Sequence, residues 1–334
     1  MTGHARLQGR GARHLIEVES FGGPEVLRWV EAEIESPRER QVLVNVEAAG
    51  VNFADVLMRR GSYRRDQTLP FTPGIEVAGR VVESGAGASF EEGERVVALL
   101  ENGGGYADMV LAPAERVYRI PEGLEPTVAA AVFIQGITAS YAINRYGHVQ
   151  PGEWVLVHAA AGGVGGFAVQ LAKAAGAKVI ATASSPAKLE VASTLGADEV
   201  LPADPATLVE AVRRATGTGC DVVVDGVGGA LFEPSLASLR AHGRYVVVGA
   251  ASQEPSNLDL RRLMPRALTV CGFLVVRVLD QDSAEPGRSL ERLADLYRNG
   301  RIRVHASELP LAHAARAHEL IETRKHTGKL VLIP

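Results

Sequence analysis

The sequence predicts an α/β chain in which a doubly wound parallel sheet is inserted into a mostly β domain. Residues 14–124 consist of short β-branched runs broken by Gly, Pro and Glu clusters, a pattern typical of an antiparallel barrel or sandwich. From about Thr127, Ala-rich helical segments alternate with solidly apolar runs, as in a parallel sheet covered on both faces. After about Arg277, short mixed elements return.

The individual elements follow from these patterns. The first region predicts strands at 41–46, 77–82, 95–99 and 106–111. The second region predicts strands at 154–158, 178–182, 221–224, 245–249 and 268–275. Helices are predicted between them at 165–175, 186–195, 206–216 and 231–240, and a last strand at 329–333.

Composition limits the possible partners. The 334 residues suggest two domains, and 35 basic against 39 acidic residues give no charge excess for nucleic acid or an anionic membrane. Cys220 and Cys271 lie among apolar neighbours, so we interpret them as buried thiols rather than a disulfide. We find neither an apolar run of 18 residues nor a signal-peptide core, and we expect a cytoplasmic protein.

A glycine-rich turn after residues 154–158 is the strongest local signal. Ala160, Gly162 and Gly165 occupy the three slots of a G-x-G-x-x-G fingerprint, between a predicted strand and a predicted helix. The fingerprint needs a tight turn, close backbone approach to a pyrophosphate and close packing of helix on strand. The residues expected to contact the phosphates are Ala161, Gly162, Gly163 and Val164. The motif therefore predicts a Rossmann dinucleotide site.

The end of the second strand of this domain favours NADPH over NADH. An NAD site expects an acid about 20 residues past the glycines, but this chain reads Thr182-Ala-Ser-Ser-Pro-Ala-Lys188. Ser184, Ser185 and Lys188 could donate to a 2′-phosphate, which an acid would repel. Alternatively, the serines are helix caps and the lysine is a surface residue.

Four motifs together resemble a known family. They are Asn52-Phe-Ala-Asp55 with Arg59-Arg-Gly61-Ser-Tyr63, Pro73-Gly-Ile-Glu76-Val-Ala-Gly79, Ala159-Ala-Ala-Gly-Gly-Val-Gly165, and His326-Thr-Gly-Lys329. In order and spacing they resemble the zinc-independent medium-chain dehydrogenase/reductases of the quinone oxidoreductase (zeta-crystallin-like) branch. The resemblance implies an α/β fold with a Rossmann doubly wound parallel sheet inserted in a GroES-like β-barrel catalytic domain, and an active-site cleft between the two.

The implied organisation has four parts. Residues 1–13 are expected to be a mobile tail, 14–132 the GroES-like substrate domain, 133–274 the Rossmann cofactor domain, and 275–334 the return to the substrate domain. The family commonly dimerises, and the strand at 268–275 is the candidate for pairing across a twofold axis.

The same resemblance implies that no catalytic zinc is bound. Where zinc-dependent relatives read Gly-His-Glu, this chain reads Gly74-Ile75-Glu76, and isoleucine cannot be a zinc ligand. The cysteine-rich structural lobe of those relatives is missing as well, and none of the nine histidines shows metal-ligand spacing. Because no metal would polarise the substrate, the molecule that accepts hydride is expected to contain its own strong electron sink.

The candidate catalytic residues come from the first barrel motif. By resemblance, Asn52 donates through its amide near the nicotinamide ribose or the substrate, and Asp55 orients neighbouring groups unless it is only a turn or cap carboxylate. Tyr63 either faces the substrate or donates a proton to it, or it only packs. Relatives often have a tyrosine where this chain has Leu57, so the pocket is expected to be more apolar.

Further cofactor contacts are implied along the chain. The candidates are Thr138, which could instead be an ordinary helical threonine, then Gly226, Val227, Gly249, Ala250, Phe273, Leu274 and Val275, and finally Arg324 and Lys329 near the phosphates. The basic cluster Arg59-Arg60…Arg64-Arg65 is either a solvated loop or an attraction for the cofactor phosphates.

Together these features favour an NADPH-dependent quinone reductase that transfers hydride to a small-molecule quinone or enone. Two alternatives stay open. An enoyl or 2-alkenal reductase would use the same hydride geometry on α,β-unsaturated carbonyls, and a non-catalytic NADPH-binding redox sensor would keep the fold without turnover.

Overall fold

The computed structural model describes residues 11–64 and 66–334, which form two compact units. The first unit joins the chain up to Phe133 with Ala306–Pro334, and the second is the continuous segment Ile134–His305. Most of the predicted mobile tail, residues 1–10, lies outside the described residues. From Ala12 the chain already forms a strand, so the first domain begins before the predicted residue 14.

The strands and helices are numbered here in chain order. The strands are β1 Ala12–Val18, β2 Leu27–Glu33, β3 Gln41–Val51, β4 Glu76–Ser84, β5 Arg95–Leu99, β6 Met109–Pro113, β7 Val117–Arg119, β8 Trp154–Val157, β9 Lys178–Ala183, β10 Glu199–Pro202, β11 Cys220–Asp225, β12 Leu239–Val247, β13 Thr269–Gly272, β14 Ala306–Pro310 and β15 Lys329–Ile333. The helices are α1 Phe53–Arg59, α2 Pro126–Ser140, α3 Gly163–Ala174, α4 Pro186–Thr194, α5 Leu208–Thr216, α6 Phe232–Ser238, α7 Val275–Leu279, α8 Glu285–Arg298 and α9 Ala314–Glu322.

The first unit is built on a mainly antiparallel sheet. Its strand order is β14-β15-β3-β4-β5-β7, and β6 also pairs with β3. Only the β14–β15 pair in this sheet is parallel. Alternate residues of β3, including Val42, Val44 and Val46, lie in the hydrophobic core, as the period of two along a strand requires. β1 and β2 form a separate antiparallel pair.

The second unit is built on a fully parallel sheet with strand order β10-β9-β8-β11-β12-β13, which confirms the predicted doubly wound sheet. In chain order this is 3-2-1-4-5-6, so the direction of winding reverses between β8 and β11. Ligands of such sheets bind beyond the carboxyl ends of the strands at this reversal. The ends of β8, β9, β11 and β12 are therefore the places to look for a site.

The return to the first unit comes at Ala306 and not at the predicted residue 275. Residues after α8 are tied to α3 of the second unit. The Gln170 side chain bonds both the N–H and the carbonyl of Arg303, and Arg301 donates to the carbonyl of Ala174. These contacts join residues more than 120 positions apart, so local composition gave no sign of them.

The helix predicted at 231–240 is also shorter than expected. α6 ends at Ser238, and Leu239 begins β12, where it pairs with Cys220. Arg266 explains the early end, because its guanidinium donates to the carbonyls of Leu236, Ala237 and Leu239. A distant side chain therefore satisfies the carbonyls that a longer helix would have used.

Three strand predictions need smaller corrections. β6 begins at Met109 and not at residue 106, because Tyr106 donates its N–H to the carbonyl of Pro73. β13 ends at Gly272, and Val275 already begins α7. β10 was not among the strands predicted from the apolar pattern. β13 is outermost in its sheet, and homodimer formation through this edge stays a prediction.

The α2 helix and the π-helix that follows it, Pro126–Tyr146, are together long and apolar enough to cross a membrane. However, 72% of the apolar window is buried inside the protein, as expected for a core helix. Cys220 and Cys271 are both free thiols, the first buried and the second half-buried. The interpretation as unpaired thiols is confirmed, although only Cys220 is fully enclosed.

Gly79 allows β4 to approach β3, and we expect Gly79→Ala to destabilise the first unit by about 1–3 kcal/mol. A Cβ at this position would lie 2.0 Å from the carbonyl oxygen of Asn45, a backbone atom that cannot move without opening the sheet. Urea unfolding would measure the loss. The matched control is Gly272→Ala in β13, where the new Cβ would lie 3.5 Å from the Val247 side chain. Equal stabilities of the two variants would contradict the prediction.

Candidate active site

The turn from β8 into α3 has the geometry that its glycines predict. Gly165 packs so closely against β8 that a Cβ would lie 2.3 Å from the carbonyl oxygen of Ala159. Ala159 itself has a φ of +49°, which turns the chain sharply at the strand end. Ala160 then donates its N–H to the carbonyl of Thr182 in the neighbouring strand. The sequence Ala-Ala-Ala-Gly-Gly-Val-Gly therefore forms a tight turn with helix and strand in close contact.

The start of α3 fits a phosphate group. Gly162 is the N-cap residue and has no side chain with which to bond the first N–H groups of the helix. α4 differs, because the Ser185 hydroxyl accepts a hydrogen bond from the N–H of Lys188. The amides that follow Gly162, together with the helix dipole, remain available to an anion. Ala161, Gly162, Gly163 and Val164 lie together at this helix start.

Gln135 lies against the same turn and was not among the predicted site residues. A Cβ on Gly163 would lie 1.5 Å from Gln135 Oε1, so the Gln135 amide occupies the space above the glycine. This buried oxygen has no hydrogen-bond partner among the described residues. Thr138, one turn further along α2, donates its hydroxyl to the carbonyl of Ile134, as an ordinary helical threonine does. The spacing of three from Thr138 was the signal that could have pointed to Gln135.

The carboxyl end of β9 contains hydroxyl groups and a lysine. Ser184 is exposed directly after the strand, and Lys188 is half-buried in the first turn of α4. Ser185 is indeed a helix cap, but its O–H can still donate because the cap bond uses only a lone pair. The chain has no acid from Thr182 to Lys188. The end of β9 is therefore compatible with a 2′-phosphate.

The ends of β11 and β12 are held by a buried carboxylate. Asp225 accepts from the N–H groups of Val227 at 2.7 Å and Gly228 at 3.1 Å, and from the hydroxyl of Tyr245 at 2.6 Å. The loop after β12 bonds back to this turn, because Ala251 donates to the carbonyl of Gly226. The predicted residues Gly226, Val227, Gly249 and Ala250 are thus brought together. Asp225, which fixes the turn, was not predicted as a site residue.

His158, directly after β8, lies in a buried polar group with Thr182 and Ser235. His158 bonds Thr182 through Nδ1 and Ser235 through Nε2, both at 2.7 Å. Burial lowers the pKa of His158, so the imidazole is neutral at pH 7. Both ring nitrogens are occupied, which makes this histidine part of the support for the sheet end and leaves it no free group for chemistry.

The segment after β13, which was predicted to run along the cofactor, makes aromatic contacts within its own unit. The Phe273 ring stacks on Tyr146 with 4.6 Å between centroids, and it also contacts Tyr141. Leu274 is 47% exposed, whereas Val275 is buried at the start of α7. The Phe273 side chain therefore packs within the second unit. The roles of Phe273, Leu274 and Val275 toward the cofactor stay predictions.

In the first unit, Asn52 lies in a buried polar cluster with Glu76 and Lys329. Asn52 Nδ2 donates to Glu76 Oε1 at 2.8 Å, and Lys329 Nζ donates to Asn52 Oδ1 at 2.7 Å and to Glu76 Oε1 at 2.5 Å. All three side chains are at most 6% exposed. This corrects the prediction for Lys329, because its ammonium is enclosed with a carboxylate and is not held out for a phosphate.

Asp55 is fully buried at the first turn of α1 and organises its surroundings. Its carboxylate accepts from the N–H of Asn52 at 2.8 Å, the N–H of Gly74 at 3.2 Å and the hydroxyl of Tyr106 at 3.2 Å. Burial raises its pKa to about 7, although these bonds and Lys329 favour the ionised form. The geometry agrees with an orienting role and gives the carboxylate no exposed surface for a substrate.

The cluster continues from Tyr106 to a buried arginine. Arg59 donates to His318 Nδ1 at 3.3 Å, which leaves the ring proton on Nε2, bonded to Tyr106 at 3.1 Å. Burial and the nearby Arg59 charge lower the pKa of His318 to about 3, so this ring is neutral. Arg59 also pairs with Glu322 at 2.5 Å. Neither Tyr106 nor His318 was predicted, since they lie 212 positions apart.

The basic cluster is only partly solvated. Arg59 is fully buried, Arg60 pairs with Glu322, and Arg64 pairs with Asp66. Residue 65 lies outside the described residues. Tyr63 is half-buried beyond the end of α1, and Arg324 is exposed just past α9 with a φ of +55°. The roles proposed for Tyr63 and Arg324 stay predictions.

Comparisons with known proteins agree with both units. The family description "Alcohol dehydrogenase GroES-like domain" matches residues 38–122, and "Zinc-binding dehydrogenase" matches residues 163–293. Quinone oxidoreductase from Sus scrofa is 33% identical over 97% of this chain and 99% of its own length, and that from Pseudomonas aeruginosa is 35% identical over 96% and 99%. The chain belongs to the quinone oxidoreductase family of medium-chain dehydrogenase/reductases.

Solved structures of this family have the same fold. Escherichia coli quinone oxidoreductase complexed with NADPH has a TM-score of 0.90 at 34% identity, covering 97% of this chain and 100% of its own. A mycobacterial protein complexed with NADPH also has a TM-score of 0.90, at 36% identity over 96% and 100%. The predicted quinone oxidoreductase fold, with GroES-like and Rossmann parts, is confirmed.

The zinc named in one family description has no group of ligands among the described residues of this chain. Among residues 11–64 and 66–334, no three His, Cys, Asp or Glu side chains are grouped so that they could hold a metal ion. Ile75 stands at the position of the histidine in the zinc-dependent motif, and the adjacent Glu76 is bonded to Lys329. At this position the ammonium of Lys329 balances the glutamate charge.

The raised pKa of Asp55 predicts that the stability of this protein depends on pH. The folded pKa of about 7 lies above the unfolded value of about 3.9, so the folded state favours the protonated form. The free energy of unfolding should therefore fall as pH rises from about 4 to about 7, relative to Asp55→Asn, and should then level off. We expect the difference between the two proteins to change by about 2–4 kcal/mol.

Urea unfolding between pH 4.5 and 8 measures this difference. Asp66→Asn is the matched control, because the Asp66 side chain is 73% exposed and should give a difference that does not vary in this range. A constant difference for Asp55→Asn would show that the carboxyl titrates normally in the folded protein.

Proposed function

We propose that this chain catalyses the reduction of quinones by NADPH through hydride transfer. The observation that carries the cofactor choice is the end of β9, where Ser184, Ser185 and Lys188 stand and no acid is present. Relatives named as quinone oxidoreductases, one of them solved as a complex with NADPH, support the same activity. The substrate is accordingly a small molecule.

The second unit contains a surface that fits each charged part of the dinucleotide. The amides of Gly163 and Val164, which follow the N-cap residue Gly162, suit the pyrophosphate. The hydroxyls and the lysine after β9 suit the 2′-phosphate. Gln135 presents a buried acceptor above Gly163, so an O–H or N–H of the bound cofactor would satisfy it. When bound, NADPH supplies the hydride.

The first unit supplies a hydrogen-bond donor for the acceptor molecule. A quinone that gains hydride develops negative charge on oxygen, and donors placed in advance at that oxygen stabilise the transition state. Asn52 has a second amide hydrogen besides the one given to Glu76, and Tyr63 has a phenolic hydrogen. The apolar Leu57 favours a flat, weakly polar acceptor over a strongly hydrated one.

Following NADPH absorbance with several acceptors tests the proposal directly. We expect turnover with 1,4-benzoquinone and 9,10-phenanthrenequinone, and slower turnover with 2-hexenal and crotonyl-CoA, because a quinone that accepts hydride becomes an aromatic hydroquinone anion. NADH serves as the cofactor control. A preference for the enal or thioester would replace the proposal with the reductase of α,β-unsaturated carbonyls. Tight NADPH binding without any turnover would replace it with a sensor.

An acid placed at the end of β9 should reverse the cofactor preference. In Ser184→Asp, the carboxylate repels the 2′-phosphate and can bind the ribose hydroxyls of NADH instead. We expect kcat/KM for NADPH to fall by about 10–100-fold, as loss of a charge-assisted hydrogen bond implies, with a smaller change for NADH. Steady-state kinetics with both cofactors would measure the change.

Ser193→Asp is the matched control for this variant. Ser193 is exposed near the opposite end of α4, so the same added charge lies away from the end of β9. An equal loss in both variants would mean that general charge repulsion explains the effect and that the β9 end does not contact the 2′-phosphate.

A further inference from the structure

The Asn52 side chain lies between a buried cation and a buried anion. Its oxygen accepts from the ammonium of Lys329 at 2.7 Å, and its nitrogen donates to the carboxylate of Glu76 at 2.8 Å. Lys329 and Glu76 also contact each other at 2.5 Å, with 1% and 0% of their side chains exposed. These contacts join strand β4, the start of α1 and strand β15 at one point.

The local sequence makes room for this cluster. Gly50 in β3 pairs with Glu76 in β4, and a Cβ on Gly50 would lie 2.5 Å from Glu76 Oε1. Because Gly50 has no side chain, the Glu76 carboxylate can lie over β3 and reach Asn52. A simple ion pair linking β15 to β4 would not need the asparagine, yet both charged groups bond it.

The two charges fix which end of the amide points where. A lysine ammonium can only donate and an ionised carboxylate can only accept. Reversing the amide would set N–H groups against the ammonium and an oxygen against the carboxylate, and both charge-assisted bonds would be lost. In the observed orientation Nδ2 gives one hydrogen to Glu76, and its second hydrogen has no acceptor among the described residues.

We infer that Lys329 and Glu76 are positioning residues that hold Asn52 with its second amide hydrogen ready to donate to the substrate oxygen on which negative charge develops. This inference rests on the proposed reduction of quinones. Asn52 is then the catalytic donor, and the buried ion pair acts only through it. An asparagine free to reverse would present its oxygen to that charge for part of the time.

A mutant cycle tests the coupling, and the choice of variants follows from the burial. Lys329→Met alone would leave the Glu76 carboxylate buried and unpaired, which destabilises proteins strongly. The double variant Lys329→Met/Glu76→Gln is neutral and similar in volume. Its glutamine can accept from or donate to Asn52, so the asparagine amide can bond in either orientation.

We expect Asn52→Ala to lower kcat with a quinone by about 100-fold, the effect of removing one donor from a developing oxyanion. The double variant should lower kcat by about 10-fold, with the KM for NADPH and the thermal midpoint little changed. In the Asn52→Ala background, the double change should have no further effect on kcat. If the double change lowers kcat by the same factor in the Asn52→Ala background as in the wild type, the ion pair acts on the fold generally. That result would overturn the inference.

A second measurement does not depend on turnover or on any variant folding. In protein labelled with 15N-asparagine, the two Asn52 Nδ2 hydrogens should give separate NMR signals, one of them protected from exchange by Glu76. The other should shift when a non-reducible quinone analogue is added. If neither signal shifts although the analogue binds, the inference is wrong. If the wild type fails to oxidise NADPH with any quinone, the proposed function fails instead.

Discussion

The pairing of β15 with β3 is the constraint on which the first unit depends. Leu330 lies opposite Val51 and Leu332 opposite Ala49, so the antiparallel register brings Lys329 to the level of Asn52, the first residue after β3. A shift of one residue would turn every side chain of β15 to the other face of the sheet. The lysine would then leave Glu76 as an unpaired buried charge. The register of β15, the packing of the core and the pairing of Lys329 with Glu76 therefore depend on one another.

A second buried chain of bonds secures α1 against α9 in the same unit. It runs from Glu322 and Arg59 through His318 and Tyr106 to Asp55, with each donor matched to an acceptor. Networks of this kind rigidify a core when every member is satisfied and are costly when one is missing. Asp55 ends this chain and accepts from the backbone of Asn52. The candidate donor is therefore fixed through its main chain by one network and through its side chain by the other.

A part of the structure could be predicted from the sequence when the interactions that determine it lie within a short segment of the chain. The apolar runs that became β8 and β11 and the glycine turn before α3 could be read from the sequence, because strand periodicity and backbone freedom are properties of short segments. The apolar pattern did not indicate β10, because Glu199–Pro202 is short and at most half-buried. The end of α6 was misplaced because the side chain that satisfies its carbonyls, Arg266, lies 27–30 positions away.

The site residues divide in the same way. Asn52, the glycine turn and the serines after β9 were identified as candidates because each belongs to a compact motif, and their roles stay predictions. Lys329 was assigned to a phosphate because its contact with Asn52 spans 277 positions and no local pattern shows it. Tyr106 and His318 were missed for the same reason. A buried titratable side chain can be recognised only when the fold shows what surrounds it.

The division of the chain into units has a consequence for the order of events on the ribosome. The second unit is one continuous segment, whereas the first needs β14 and β15, which are made only after that segment is complete. Domains usually fold as they emerge during synthesis. The Rossmann unit can therefore reach its native state while β3 still lacks β15 as a neighbour. Until Lys329 emerges, the Glu76 carboxylate has no ammonium with which it can pair inside the core. In the nascent barrel this carboxylate must therefore stay in contact with water.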